Sequence, residues 1–172
     1  MAKITLILGG TRSGKSVFAE NYVLSANKTP VYLATAEIFN EEMKKRVDMH
    51  RSRRKSGWIN VEEPIDLIGE IQKHNSEQKI VLVDCLSVWL GNLLEHHRNI
   101  ETEIAKLVDG LAGLDVETVF VSSEVGLGIV PDNKLAREFG DYAGLMNQKI
   151  ANIAETVFFV AAGLPLKLKG EV

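Results

Sequence analysis

Gly9-Gly10-Thr11-Arg12-Ser13-Gly14-Lys15-Ser16 stands directly behind the apolar run Ile4-Thr5-Leu6-Ile7-Leu8. The octapeptide matches G-x-x-x-x-G-K-[ST], and the run before it predicts a buried strand, Ile4–Leu8. Residues 14–26 predict a helix, with Val17, Phe18, Tyr22 and Ser25 at helical spacing. In such a strand–loop–helix unit the glycines let backbone N–H groups point inward, and the helix adds its positive N-terminal end. A triphosphate fits there. Lys15 would reach the β and γ phosphates, and the Ser16 hydroxyl would ligate Mg²⁺. Gly9, Gly10, Thr11, Arg12, Ser13 and Gly14 complete the nucleotide-binding loop.

Working outward, apolar runs alternate with helical segments. Strands are predicted at Val31–Ala34, Trp58–Val61, Ile80–Val83, Val119–Val121, Val157–Val160 and Leu166–Leu168. Helices are predicted at about 41–55, 65–73, 86–97, 100–113 and 133–155. This order implies an α/β P-loop NTPase: a mainly parallel sheet with helices on both faces. Gly163 and Pro165 join the last two strands so closely that one of them is an antiparallel edge strand. Ligands of such sheets bind at the C-terminal strand ends, here just after Leu8, Ala34, Val83 and Val121. Asp84 ends the third long apolar run, where P-loop proteins place an acidic residue near Mg²⁺. It could instead cap the helix that follows. Cys85 beside it reads as a small core residue.

The 172 residues are 45% hydrophobic and 25% charged, which predicts one P-loop domain over 1–172 rather than a disordered or fibrous chain. A net charge of -3 argues against a nucleic-acid binder. A single cysteine excludes an intrachain disulfide and fits a reducing compartment. No apolar run approaches the roughly 20 residues of a membrane span, and the N-terminus lacks a signal-peptide h-region. These features predict a cytoplasmic protein.

Lys44 to Lys55 holds seven basic residues in twelve. On a helix, Met43, Val47, His50 and Arg54 share one face, with Arg46, Arg53 and Arg54 within side-chain reach of His50. One reading is a solvated basic face. The other is chemical: neighbouring cations disfavour the imidazolium, and a neutral imidazole is a nucleophile. The same arginines could hold the phosphate it attacks. His74, His96 and His97 have no partner at metal-ligand spacing.

The run Ser122 to Pro131 carries Gly126 and Gly128 at the ligand edge. It exceeds the 2–6 residues usual for such a connection, which invites a functional role. Tyr142 and Asn147 on the last helix are weaker candidates.

Together these features resemble the bifunctional adenosylcobinamide kinase/adenosylcobinamide-phosphate guanylyltransferase family. The resemblance rests on the phosphate loop, Tyr32-Leu33-Ala34-Thr35-Ala36, His50-Arg51, Asp84-Cys85-Leu86-Ser87 with Asn92-Leu93-Leu94, and Glu124-Val125-Gly126-Leu127-Gly128-Ile129-Val130-Pro131. Arg137-Glu138-Phe139 and Asn147-Gln148 add to it. It implies a RecA-like fold, a homotrimer and two reactions. ATP or GTP phosphorylates the aminopropanol hydroxyl of a corrinoid, adenosylcobinamide. GTP then guanylylates a histidine, and GMP passes to adenosylcobinamide phosphate. The histidine falls on His50, and nucleotide-binding positions on Gly9–Ser16, Ala34, Thr35, Ala36, Arg51, Ser52, Arg53, Arg54, Glu62 and Asp84. Some relatives carry two adjacent histidines where this chain has Met49-His50.

Two other readings compete. A small-molecule kinase of another pathway needs the loop and Asp84 but not His50. A GTP-binding switch commonly reads guanine with Asn-Lys-x-Asp, and Asn133-Lys134-Leu135-Ala136 lacks the aspartate.

Overall fold

The computed structural model describes residues 3–37 and 57–170. In chain order the elements are β1 (Ile4–Gly9), α1 (Lys15–Ser25), β2 (Thr29–Ala34), β3 (Ile59–Glu62), α2 (Leu67–Lys73) and β4 (Lys79–Asp84). They continue with α3 (Leu86–Glu95), α4 (Ile100–Leu111), β5 (Glu117–Ser123), α5 (Lys134–Ile153), β6 (Thr156–Ala161) and β7 (Leu164–Lys169). The helix predicted at 41–55, with His50, lies outside the described residues.

The strands form one sheet in the order β3-β2-β4-β5-β1-β6-β7. All neighbours run parallel except β6 and β7, which form the antiparallel edge pair that the short Gly163–Pro165 connection predicts. Strand alternation sorts the core into two layers, because successive side chains point to opposite faces. Leu6, Val31, Leu33, Val81, Val83 and Phe120 face one side, against α2, α3, α4 and α5. Ile7, Tyr32, Ile80, Leu82, Val119 and Val121 face the other, against Ala19 and Val23 of α1. Both layers are almost free of solvent, so the strands read as continuous apolar runs.

Helix α1 forms where the spacing predicts it, and the structure settles which of its faces is buried. Val17 is 45% exposed, and the buried positions are Ala19 and Val23, flanked by Phe18 and Tyr22. The helix starts at Lys15 and packs across the sheet. The face so directed passes through 19 and 23, one helical turn apart. Phe18 and Tyr22 instead meet Phe158 of β6 edge-on, at centroid distances of 5.0 and 5.8 Å.

Register aligns the strand ends that matter. Gly9 pairs with Ser123 and with Val160, Ala34 with Glu62 and Asp84, and Asp84 with Val121. The C-terminal ends of β1 to β6 therefore form one edge, and the site is built there.

Candidate active site

Residues 9–16 wrap as the motif requires. Gly9 is buried, and a Cβ there would stand 2.5 Å from Ser13 Oγ and 2.6 Å from the Val160 carbonyl oxygen. Only glycine lets β1 and β6 pass that closely under the loop. Gly14 has φ +96°, and a Cβ on it would meet Gly163 Cα at 3.0 Å. The loop is closed by Ser13 N–H donating to the Gly10 carbonyl at 3.2 Å. Lys15 Nζ donates to the same carbonyl at 2.9 Å. No side chain caps α1 at Gly14, so its first N–H groups face the loop's interior. That is the arrangement an anion stabilises.

The Ala162–Gly163 turn between β6 and β7 holds the loop from outside. Both residues have positive φ, 51° and 77°, as a two-residue hairpin of this twist needs. Gly163 N–H donates to the Ser13 carbonyl at 2.7 Å. Ser13 Oγ is itself buried and, among the described residues, has no hydrogen-bond partner.

Asp84 ends β4 on the α1 side of the sheet, in phase with Ile80 and Leu82. It does not cap α3. Cys85 occupies that position, with no side-chain cap hydrogen bond. Tyr32 O–H, 4% exposed on β2, donates to Asp84 Oδ2 at 3.0 Å, and Trp58 packs edge-on against its ring. Ser16 opens α1 over the same face. A hydroxyl and a carboxylate are the hard oxygen donors that Mg²⁺ takes from proteins, with phosphates and waters completing the shell. These two residues fit such an ion.

Cys85 is the core residue expected. Burial pushes its thiol up to about 11; the Asp84 carboxylate adds to the rise, while Lys15 offsets part of it.

Thr35 is completely buried and committed to structure. Its Oγ1 donates to the Cys85 carbonyl at 2.9 Å and accepts from Cys85 N–H at 3.0 Å. Asn92 of α3 donates to the Thr35 carbonyl at 2.7 Å and to the Pro64 carbonyl at 3.0 Å. Ala34, Ala36 and Glu62 sit at the same edge, and the Ala34 carbonyl accepts from Glu63 N–H at 3.0 Å. A second buried group ties β5 down: Ser122 Oγ donates to Asn147 Oδ1 at 2.7 Å, and Ser87 Oγ accepts from Ser123 N–H at 2.7 Å. Asn147, a weak candidate by sequence, is a strut. His50, Arg51, Ser52, Arg53 and Arg54 lie outside the described residues.

Sequence reasoning did not find the Tyr32–Asp84 bond, the Asn92 clamp or the hairpin's hold on the loop. Alternation places Tyr32 and Asp84 on one face, and that was the available signal. The sequence marks Gly163 as a turn residue and Asn92 only through the resemblance, and no local signal gives the bonds they make.

A family model for cobinamide kinase/cobinamide phosphate guanyltransferase matches residues 5–168. The chain belongs to this family. The cobinamide kinase/guanyltransferase match takes in the loop, Asp84 and all seven strands from Thr5 onward. The bifunctional adenosylcobalamin biosynthesis protein CobP of Pseudomonas aeruginosa is 41% identical over 168 residues, covering 96% of this chain and 97% of that one. The bifunctional adenosylcobalamin biosynthesis protein CobU of Escherichia coli is 34% identical over 179 residues, covering 95% and 98%. Among solved structures, the RadB recombinase is similar with a TM-score of 0.48 and 15% identity, over 91% of this chain and 73% of that one.

Proposed function

We propose that this chain is an adenosylcobinamide kinase and adenosylcobinamide-phosphate guanylyltransferase of cobalamin biosynthesis. The observation that carries it is an uncapped, glycine-closed phosphate loop facing Asp84, in a chain of the cobinamide kinase/guanyltransferase family.

In the kinase step the substrate hydroxyl oxygen attacks the γ-phosphorus of ATP or GTP. The bond from that phosphorus to the bridging oxygen breaks, the nucleoside diphosphate leaves, and the hydroxyl proton is lost. Loop N–H groups and the α1 N-terminus bind the phosphates, and Lys15 swings from the Gly10 carbonyl to the charge building on the β–γ bridge. Ser16 and Asp84 would hold Mg²⁺, which neutralises phosphate charge when bound. Tyr32 keeps the Asp84 carboxylate oriented.

In the second reaction a His50 ring nitrogen attacks the α-phosphorus of GTP and pyrophosphate leaves. A phosphate oxygen of adenosylcobinamide phosphate then attacks the same phosphorus, giving adenosylcobinamide-GDP and free imidazole. Arg46, Arg53 and Arg54, at helical spacing from His50, favour the neutral, nucleophilic ring and receive the phosphate charge. Both reactions share one phosphate-loop neighbourhood, in a subunit that assembles as a homotrimer.

The test uses GTP labelled at the α-phosphate. The protein should acquire an acid-labile, base-stable label that cobinamide phosphate discharges. Label that survives His50→Ala, or none in protein that converts cobinamide, would overturn the covalent step.

A further inference from the structure

At the C-terminal edge of the sheet a cavity of about 1000 Å³ opens between α3, the 124–131 loop and the start of α5. Its walls grow directly from the catalytic edge. α3 begins after Asp84, and the loop begins at Glu124, whose N–H donates to the Gly9 carbonyl at 3.1 Å. Gly91 lies five residues into α3 from its first residue, Leu86, about 7.5 Å at the helical rise.

Two features of this cavity are unexplained by folding. First, Ile129 is 97% exposed, Val130 74% and Leu135 62%, at the walls of a space that folding leaves open. Second, a helix-interior glycine lines each opposing wall: Gly91 in α3 and Gly140 in α5. Glycine is a poor helix former. Two other helical glycines are held by contact, since a Cβ at Gly110 would run into Ile68 and one at Gly69 into Asp66, while Gly144 of α5, outside the cavity's lining, meets nothing. At Gly91 and Gly140 a Cβ would meet nothing within 4 Å. No packing partner requires the missing side chains, and their absence widens the cavity from both sides.

We infer that this cavity seats the corrin macrocycle of the substrate, with Gly91 and Gly140 keeping its walls apart and Ile129, Val130 and Leu135 covering the ring. The inference rests on the function proposed above and locates its acceptor. The volume lies at the top of the usual range of about 300–1,000 Å³ for small-molecule sites, generous for a compact metabolite and suited to a macrocycle. Apolar walls match the ring, and Glu95 and Asp141 at the margin match its peripheral amides. The Glu124–Gly9 hydrogen bond joins the cavity's loop to the phosphate loop, which is the direction the hydroxyl-bearing arm would take.

The test measures cobinamide retention by equilibrium dialysis, read from corrin absorbance, and GTP retention without cobinamide. Gly91→Phe fills the cavity from one wall, and Gly140→Phe fills it from the other should the first fail to fold. Each should raise the cobinamide Kd at least tenfold while GTP binds as in wild type. A folded variant that retains cobinamide like wild type overturns the assignment. Ile129→Asp that lowers the oligomeric mass yet leaves cobinamide retention intact also overturns it, because the face is then covered by a second copy. Wild-type protein that neither retains nor phosphorylates cobinamide defeats the functional reading itself, a different result from active wild type with indifferent variants.

Discussion

The Gly163 N–H donates to the Ser13 carbonyl at 2.7 Å, so the turn between the last two strands grips the phosphate loop made by the first. Residues 150 apart in sequence thereby set the shape of the nucleotide site. β6 brings them together by pairing with β1, Gly9 opposite Val160.

Gly163→Val tests this grip. At φ 77° a β-branched residue is strained by about 1–2 kcal/mol, and the turn must shift to relieve it. Melting temperature should fall, and the GTP Kd should rise by up to roughly 10-fold if that strain reaches the loop. A lower melting temperature with unchanged GTP affinity would show that the loop keeps its shape without the hairpin. Calorimetry with and without GTP separates the two results.

Tyr32→Phe removes the hydrogen bond to Asp84 Oδ2 and nothing else of the ring's packing against Trp58. A hydrogen bond to a charged group contributes about 1.5–3 kcal/mol. We expect kcat to drop by roughly 10-fold or more, with a higher Mg²⁺ requirement and little change in the KM for GTP. Steady-state kinetics across a Mg²⁺ titration reads all three. An unaltered Mg²⁺ curve would leave Tyr32 with a packing role alone.

Asn92→Leu strips the donor from two carbonyls, those of Thr35 and Pro64. Each buried acceptor left unpaired costs about 1–3 kcal/mol, so the loss should reach at least ~2 kcal/mol. In urea unfolding the midpoint should fall without a change in slope. A shift under about 0.5 kcal/mol would mean the carbonyls find other donors.

Cys85 offers a pH readout. Its native thiol is pushed up to about 11 by burial and by Asp84, against an ordinary value near 9. Iodoacetamide should therefore leave the folded protein unmodified at pH 8 and react once it is unfolded. The sign for stability follows from linkage. Below pH 9 the thiol is protonated in both states and contributes no pH dependence. Between 9 and 11 only the unfolded state loses the proton, so stability should fall as pH rises. Cys85→Ala should lack that component in parallel unfolding curves; identical wild-type and variant curves would show that Cys85 does not titrate differently on folding.

Much of the fold was legible because it rests on local signals. A strand buried on both faces reads as an unbroken apolar run, which is how β1 and β4 declare themselves. Gly14-Lys15-Ser16 marks a loop and a helix start together, since the residues that suit one define the other. The antiparallel edge followed from a connection too short for a crossover. Spacing marks α1 as a helix without saying that Val17 turns outward, because the element a helix packs on chooses its phase.

By itself the sequence determined the phosphate loop, the strand that ends in Asp84 and the two-sided sheet, because each depends on neighbours in the chain. Tertiary structure alone decided the rest: Tyr32 on Asp84, Asn92 on Thr35 and Pro64, Gly163 on Ser13, and open space beside Gly91 and Gly140. These relationships are set by strand order and register, which bring distant residues within hydrogen-bond distance. A single glycine in a helix looks the same in sequence whether a neighbour crowds it or a cavity opens beside it, and only the folded chain tells the two apart.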